Sequence, residues 1–266
     1  DVSWENPRGV HAIRVLENTT DFTIDSLIDA AYDSYLTAFD ILIPSLLTAY
    51  DETPASDPLK VELADQVEAL TQWDRRSSES SEATSLAVFW GTELMMRARP
   101  LAREARISVY DYMANRTSAG ERLEALEVAS KRLEDDFGSW RMPWGEINRF
   151  QRITGDLVQP FDDDQPSRAV GFASGWWGSL AAFGARQSGD WKKLYGTRGN
   201  SFVAVVECGE KVRAKAVTAG GQSGDVNSPH FDDQIDRYCT GDLREVYFYP
   251  EQLEGHIEVS YRPGRR

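Results

Sequence analysis

The sequence predicts an α+β fold, and three observations carry that prediction. From Thr23 to Phe137, apolar residues recur at the three- and four-residue spacing of helices. From Ile153 onward glycine becomes frequent, and short runs rich in Val, Phe and Tyr replace the helical pattern. The two patterns are segregated along the chain rather than alternating, which separates α+β from α/β. Residues 1–150 are therefore read as a mainly helical lobe, and residues 151–266 as a strand-rich part.

Asp1–Asn18 is expected to open irregularly, with turn chemistry at Asn6-Pro7-Arg8-Gly9. Thr23 is a good N-cap. Behind it Leu27, Ala30, Ala31, Tyr35, Phe39, Leu42 and Leu46 lay down an apolar stripe as far as Tyr50. Pro44 is expected to kink or divide this stretch, because proline gives up a helical hydrogen bond. Asp51–Ser56 reads as a linker. Asp57-Pro58 supplies a capping side chain and a first-turn proline to a second helix, which ends near Trp73-Asp74. After the Ser-rich loop Arg75–Ser81, Glu82–Arg99 reads as a third helix that Pro100 stops or restarts. Ser118 and Glu121 have capping-box spacing and open a fourth helix, which closes at Gly138-Ser139. An aromatic connector, Trp140–Gly145, leads into a short helix through Phe150.

In the second part, Ser201–Glu207 and Val212–Val217 flank the turn Cys208-Gly209-Glu210 and predict a hairpin. Gly220-Gly221 breaks the second strand, since glycine reaches backbone angles that other residues avoid. A polar loop follows, then a helix over Asp232–Thr240. Glu245–Tyr249 and His256–Tyr261 read as late strands.

A chain of 266 residues with 41% hydrophobic content can bury a substantial core. Its net charge of −14 repels phosphate backbones, so nucleic acid is not an expected partner. No apolar run approaches the roughly 20 residues that span a bilayer, and no signal peptide opens the chain. Two cysteines, Cys208 and Cys239, are too few for a disulfide scaffold; they read either as buried thiols or as a pair closed by the polar loop. The three histidines show no zinc spacing, and neither a G-x-S-x-G elbow nor a phosphate loop occurs. Asp162-Asp163-Asp164 lacks EF-hand spacing and reads as a solvated loop.

Several motifs taken together resemble the C-terminal end of the β subunit in the penicillin amidase (penicillin acylase) family. They are Arg198-Gly199-Asn200-Ser201, Gly221-Gln222-Ser223-Gly224, Ser228-Pro229-His230 and Asp233-Gln234. Val246-Tyr247-Phe248-Tyr249 and Gly175-Trp176-Trp177-Gly178-Ser179 agree with them, as do Asn6-Pro7-Arg8 and Arg14-Val15-Leu16-Glu17 near the start. The resemblance implies a share of a four-layer αββα sandwich of the N-terminal-nucleophile hydrolases. It implies an enzyme that cleaves an acyl group from a small acylated amine. Such an enzyme attacks with the hydroxyl of an N-terminal serine, using that residue's own amino group as base.

This chain begins with Asp1, so the serine is expected in another segment, together with the asparagine that holds the oxyanion. The implied partners are an α subunit and the N-terminal part of the β subunit, joined after autoproteolytic processing. The start at Asp1 fits either a trimmed piece or a chain released by maturation, and the resemblance favours the second. The family is commonly periplasmic or secreted. No cofactor is required, and a structural calcium would find its ligands mainly outside this chain. The resemblance does not choose among β-lactam, acyl-homoserine lactone and acyl-peptide substrates.

Two residues are carried over as catalytic candidates. Arg8 falls at the arginine that orients the oxyanion asparagine, and a fixed guanidinium can hold an amide oxygen; without the resemblance it is a surface arginine after a turn proline. Glu207 falls at a glutamate that, in cephalosporin-acylase-like relatives, pairs with a histidine near the nucleophile; without it, a strand-end glutamate reaches solvent or bonds Arg213 across the hairpin. Asn200, Gln222, Ser223, His230 and Asp233 read as loop-tying residues. The alternative from another class is a non-catalytic binding or structural module that retains this part of the fold.

Overall fold

The computed structural model describes residues 4–262 and 264. Its helices come first. They are α1 (Pro7–Leu16), α2 (Ile24–Ala31), α3 (Phe39–Glu52), α4 (Pro58–Glu62), α5 (Ala64–Gln72), α6 (Glu82–Ala105), α7 (Val109–Asn115), α8 (Ala119–Phe137) and α9 (Trp144–Ile147). There follow β1 (Asn148–Phe150), β2 (Arg168–Ala169), β3 (Phe183–Ser188), β4 (Trp191–Gly199), β5 (Phe202–Glu207), β6 (Arg213–Thr218), α10 (Ile235–Thr240) and β7 (Arg244–Glu245). The fold is α+β, as the segregated patterns predict.

Local chemistry explains most boundaries. Thr23 and Ser26 exchange the two bonds of a capping box at α2, and Ser118 and Glu121 do the same at α8. Asp57 caps Leu59 N ahead of Pro58. Gly138, at φ 85°, ends α8 in the left-handed conformation that glycine adopts without a steric penalty.

Several sequence expectations are corrected. The opening is not irregular: α1 forms because Asn6 accepts from Gly9 N and Pro7 occupies the first turn, so the turn residues act as a helix start. The first three residues of that stretch lie outside the described residues. The chain from Thr23 to Tyr50 is divided at residues 32–38, where Tyr35 bridges to Arg76, while Pro44 sits inside α3. Pro100 likewise lies within α6, which runs on to Ala105. The second predicted helix is two, α4 and α5, meeting at Leu63. Of the predicted late strand Glu245–Tyr249 only Glu245 pairs, as the end of β7 against β6. His256–Tyr261 forms no strand; Gln252, in a 3₁₀ turn over Pro250–Leu253, bonds Phe248 N and Tyr249 N instead. The two cysteines are free, Cys208 exposed and Cys239 buried.

Two small sheets result, one of order β2-β1-β4-β3 and one of order β5-β6-β7. The predicted hairpin is β5–β6, registered from Phe202↔Thr218 to Glu207↔Arg213. The β3–β4 hairpin was hidden in the sequence by its charged and glycine residues; β1 pairs parallel to β4.

Two apolar clusters hold these elements. The larger joins α3, α5, α6, α7 and α8 around Leu86, Trp90, Leu126 and Leu133, each at most 1% exposed. Trp177 enters it from the second part, stacked on Phe39 at 5.2 Å and lying so close to Gly91 that a Cβ there would meet it at 2.8 Å. The smaller cluster sits under both sheets and takes Ile24 and Ile28 from α2. Each half thus lends the other an anchor, and the segment 170–183 runs between them.

Candidate functional site

The Arg8 side chain projects from the first turn of α1 toward the segment that leads into β3. Its Nη2 donates to Leu180 O at 2.8 Å and reaches Asn200 Oδ1 at 3.5 Å. Asn200 is itself fixed: its backbone N–H donates to Ala182 O at 2.9 Å, and its Oδ1 accepts from Ala182 N at 2.8 Å. A guanidinium and a held carboxamide therefore share one edge of the molecule, although 192 positions separate them in sequence. Beside them opens a cleft of about 280 Å³ between α1, α2 and β5, with walls including Val15, Leu27, Tyr32 and Val205.

The α1 helix is pinned from beneath by His11, which is fully buried. Its Nδ1 lies 2.8 Å from Gly178 O, and its Nε2 lies 3.0 Å from Asp33 Oδ1. Asp33 also accepts from Tyr35 N at 2.9 Å and from Arg76 at 3.1 Å. Burial pushes the Asp33 carboxyl up, but these bonds from Tyr35, Arg76 and His11 outweigh it and hold the group below its ordinary value. Thr37 adds a 2.6 Å bond from Oγ1 to Pro7 O. Gly178 is obligatory here: its φ is +114°, and a Cβ would meet Thr37 Oγ1 at 2.5 Å. The sequence reading missed His11, Asp33 and Thr37 because it took α1 for a turn; the signal was a lone histidine one turn after a helix-starting proline.

Glu207 does not join this group. It ends β5 exposed, paired with Arg213 across the hairpin at 3.1 Å, and is not among the residues lining the Arg8 cleft.

The polar loop ties itself together. Ser223 N donates to His230 O, and Gln234 N to Gly220 O. Gln234, 3% exposed, accepts from Thr218 N and Arg244 Nε. Gly221 permits the closure, since a Cβ there would meet His230 O at 2.3 Å. Arg152 donates to Phe231 O and Ser223 O. His230 bonds Asp233 at 2.9 Å and reaches Glu258 at 3.4 Å; chiefly the Asp233 bond raises its pKa. Within the acidic triplet, Asp163 accepts from Tyr195 OH at 2.9 Å and from Lys192 N at 2.6 Å. Among the described residues no group of three or more His, Cys, Asp or Glu is placed to hold a metal ion. No helix among them is long and apolar enough to cross a membrane.

The family model for penicillin amidase matches residues 2–255. Among solved structures, a thermostable penicillin G acylase from Alcaligenes faecalis superposes with a TM-score of 0.50 at 14% identity. The match covers 99% of this chain and 53% of that one, so the chain spans about half the length of its solved relative. At that identity the likeness speaks for the fold alone.

Proposed function

The chain belongs to the penicillin amidase family, and from that premise we propose that it is the C-terminal piece of the β subunit of an amide hydrolase of the N-terminal-nucleophile type. The assembled enzyme releases an acyl group from an amine, with the serine, its amino-group base and the oxyanion asparagine supplied by another segment. The family match over nearly the whole chain carries this reading. The two small sheets are then additions to an αββα sandwich. The exposed outer side of β5, with Phe202 61% and Val206 53% accessible, supports a seat for the rest of that sandwich.

Arg8 is the residue of this chain proposed nearest to the chemistry, as a positioning group. Its guanidinium is anchored on Leu180 O and already borders one carboxamide oxygen, which is the geometry by which it would orient an oxyanion-holding asparagine. His11, Asp33 and Thr37 would keep its helix in place. Glu207 stays a second candidate; to serve a histidine near the nucleophile it would have to leave Arg213. The reading needs no cofactor, and a periplasmic or secreted location goes with it.

The test is intact mass and N-terminal sequencing of whatever accompanies this chain in native purification. A stoichiometric partner beginning with Ser supports the hydrolase. Arg8→Ala should then lower kcat for acylated amines by roughly 10²-fold, through misplacement of the oxyanion donor, with KM changing less. Arg8→Lys should recover part of the loss. A folded, monomeric chain without such a partner overturns the reading in favour of a binding module.

A further inference from the structure

The helix that carries Arg8 is gripped along one side. Pro7, His11 and Arg14 recur at helical spacing and mark that side. Pro7 and His11 are the buried residues of α1. Arg14 lies over the Tyr35 ring at 3.8 Å and stands 3.6 Å from Asp40. Arg8, Ala12, Val15 and Leu16 line the cleft instead. Where Arg8 points therefore depends on how α1 is rolled about its axis.

Of the contacts on the gripped side, the one at His11 fixes that roll. The Thr37 Oγ1 bond to Pro7 O is made to the main chain, near the helix axis, and lets the helix turn about it. Arg14 is half exposed on a long stem with many rotamers. His11 is a rigid ring, fully buried and met at both nitrogens.

The ring also shares a backbone segment with Arg8. Along residues 178–182, alternate carbonyls are taken in turn: Gly178 O lies 2.8 Å from His11 Nδ1, Leu180 O accepts from Arg8 Nη2 at 2.8 Å, and Ala182 O accepts from Asn200 N at 2.9 Å. Ser179, fully buried, ties the segment to itself by donating to Ala181 O at 3.0 Å. His11 and Arg8 stand three positions apart on α1, and their acceptors two positions apart on the segment. The His11–Gly178 contact thus sets which carbonyl Arg8 meets. Asp33, by contrast, answers to Tyr35 N and Arg76, not to the segment that Arg8 holds.

We propose that His11 is a positioning residue for Arg8: its Nδ1 contact with Gly178 O sets the roll of α1 and so aims the guanidinium at Leu180 O and Asn200. The consequence for turnover rests on the amide-hydrolase reading. The aiming of Arg8 within this chain does not.

The first test needs no activity. In the purified chain, NMR of the arginine Nε–Hε groups, with Arg8 assigned through Arg8→Lys, reports whether its guanidinium is held. An asparagine amide nitrogen falls near the place of histidine Nδ1, and a glutamine amide nitrogen near that of Nε2. His11→Asn should therefore keep the Arg8 signal, and His11→Gln should move it to the position of a free side chain. Asp33→Asn, which leaves the Gly178 contact in place, should keep it too. Thermal melting checks the fold of each variant. In the assembled enzyme, His11→Gln should lower kcat for acylated amines by roughly tenfold or more with KM changing less, and His11→Asn should recover most of the loss. An Arg8 signal indifferent to both His11 substitutions overturns the proposal. So does a signal lost in His11→Asn or Asp33→Asn but kept in His11→Gln, which would hand the role to the Asp33 contact. If the unsubstituted assembly turns over no acylated amine, the hydrolase reading fails, and the Arg8 signal still decides the role of His11.

Discussion

The helical lobe and the strand-rich part are stabilised by different means. Around α6 and α8, Leu86, Trp90, Leu126 and Leu133 are sealed on every side, and Gln66 Nε2, Trp90 Nε1 and Arg122 are hydrogen-bonded inside, although Gln66 Oε1 and Ser85 Oγ are not. Arg122 is the clearest case. It is 9% exposed and forms no ion pair among the described residues, yet it donates to Ala114 O at 2.6 Å, Thr117 O at 2.8 Å and Ser45 O at 3.2 Å. In effect one guanidinium caps the C-terminal end of α7. The strand-rich part is held instead by long-range side-chain bonds to backbone: Arg149 to Ser167 O, Arg152 to Ser223 O, Asn148 to Val170 O. Its β5 is an edge strand that turns Val205 inward and Phe202 and Val206 outward. A completed core tolerates no loss, while a sheet with an open apolar edge still has contacts to gain.

The largest expected effect follows from that contrast. Arg122→Met leaves several buried carbonyls without donors, each a penalty of about 1–3 kcal/mol, and should cost about 2–4 kcal/mol in total. Leu126→Ala should cost a similar amount, about 2–5 kcal/mol, through the cavity it leaves. Phe202→Ser on β5 should stay within about 0.5 kcal/mol in the isolated chain. Urea unfolding of the three variants decides it. A Phe202→Ser loss as large as the other two would mean that β5 already packs against something in this chain. In the assembled protein, by contrast, Phe202→Ser should weaken association.

That contrast was partly legible in the sequence. Capping boxes and helical periodicity are local signals, so α2 and α8 could be placed from Thr23 and from Ser118 with Glu121. The β5–β6 hairpin was equally local, with a glycine turn between alternating runs. What failed was decided by distant partners. His256–Tyr261 alternates like a strand, but no neighbouring strand reaches it, and alternation without a partner makes no sheet. Trp191–Gly199 looks too charged for a strand, yet it is the centre of the first sheet because Asp163 and β1 meet it. The site was legible only by residue, not by arrangement. Arg8, Asn200 and the Gly221–Gln234 loop all stood out, but the Arg8–Asn200 contact and the burial of His11 depend on α1 docking against residues 178–182.

A middle-sized effect separates the two cores in time. Burial pushes the Cys239 thiol up to about 12, while Cys208 is exposed. At neutral pH, Cys208 should react with a thiol reagent at once and Cys239 only when the smaller cluster opens. In rising urea, labelling of Cys239 followed by mass spectrometry should precede loss of the helical circular-dichroism signal. Simultaneous transitions would show that the two clusters unfold as one unit, tied through Trp177.

The smallest effect concerns pH, and the two parts should differ in sign. In the helical region Asp33 is held below its ordinary 3.8, so its contribution is present above that value and is lost only as pH falls through the lower folded one. Nothing about it changes between pH 6 and 8. His230 is raised above its ordinary 6.5 by Asp233 and then Glu258. Its contribution is therefore complete below pH 6.5 and disappears as pH rises through the raised folded value. Glu258 belongs to the C-terminal segment, so that segment should loosen from the Gly221–Gln234 loop on the alkaline side while the helices do not respond. Hydrogen exchange at pH 6 and pH 8, corrected for intrinsic rates, should show extra exchange over residues 253–261 at the higher pH. His230→Gln should remove the difference, and added salt should shrink it, because the pair is exposed. Exchange over 253–261 that ignores pH would mean that the Tyr247–His256 ring stack, at 4.3 Å, holds the segment without help from His230.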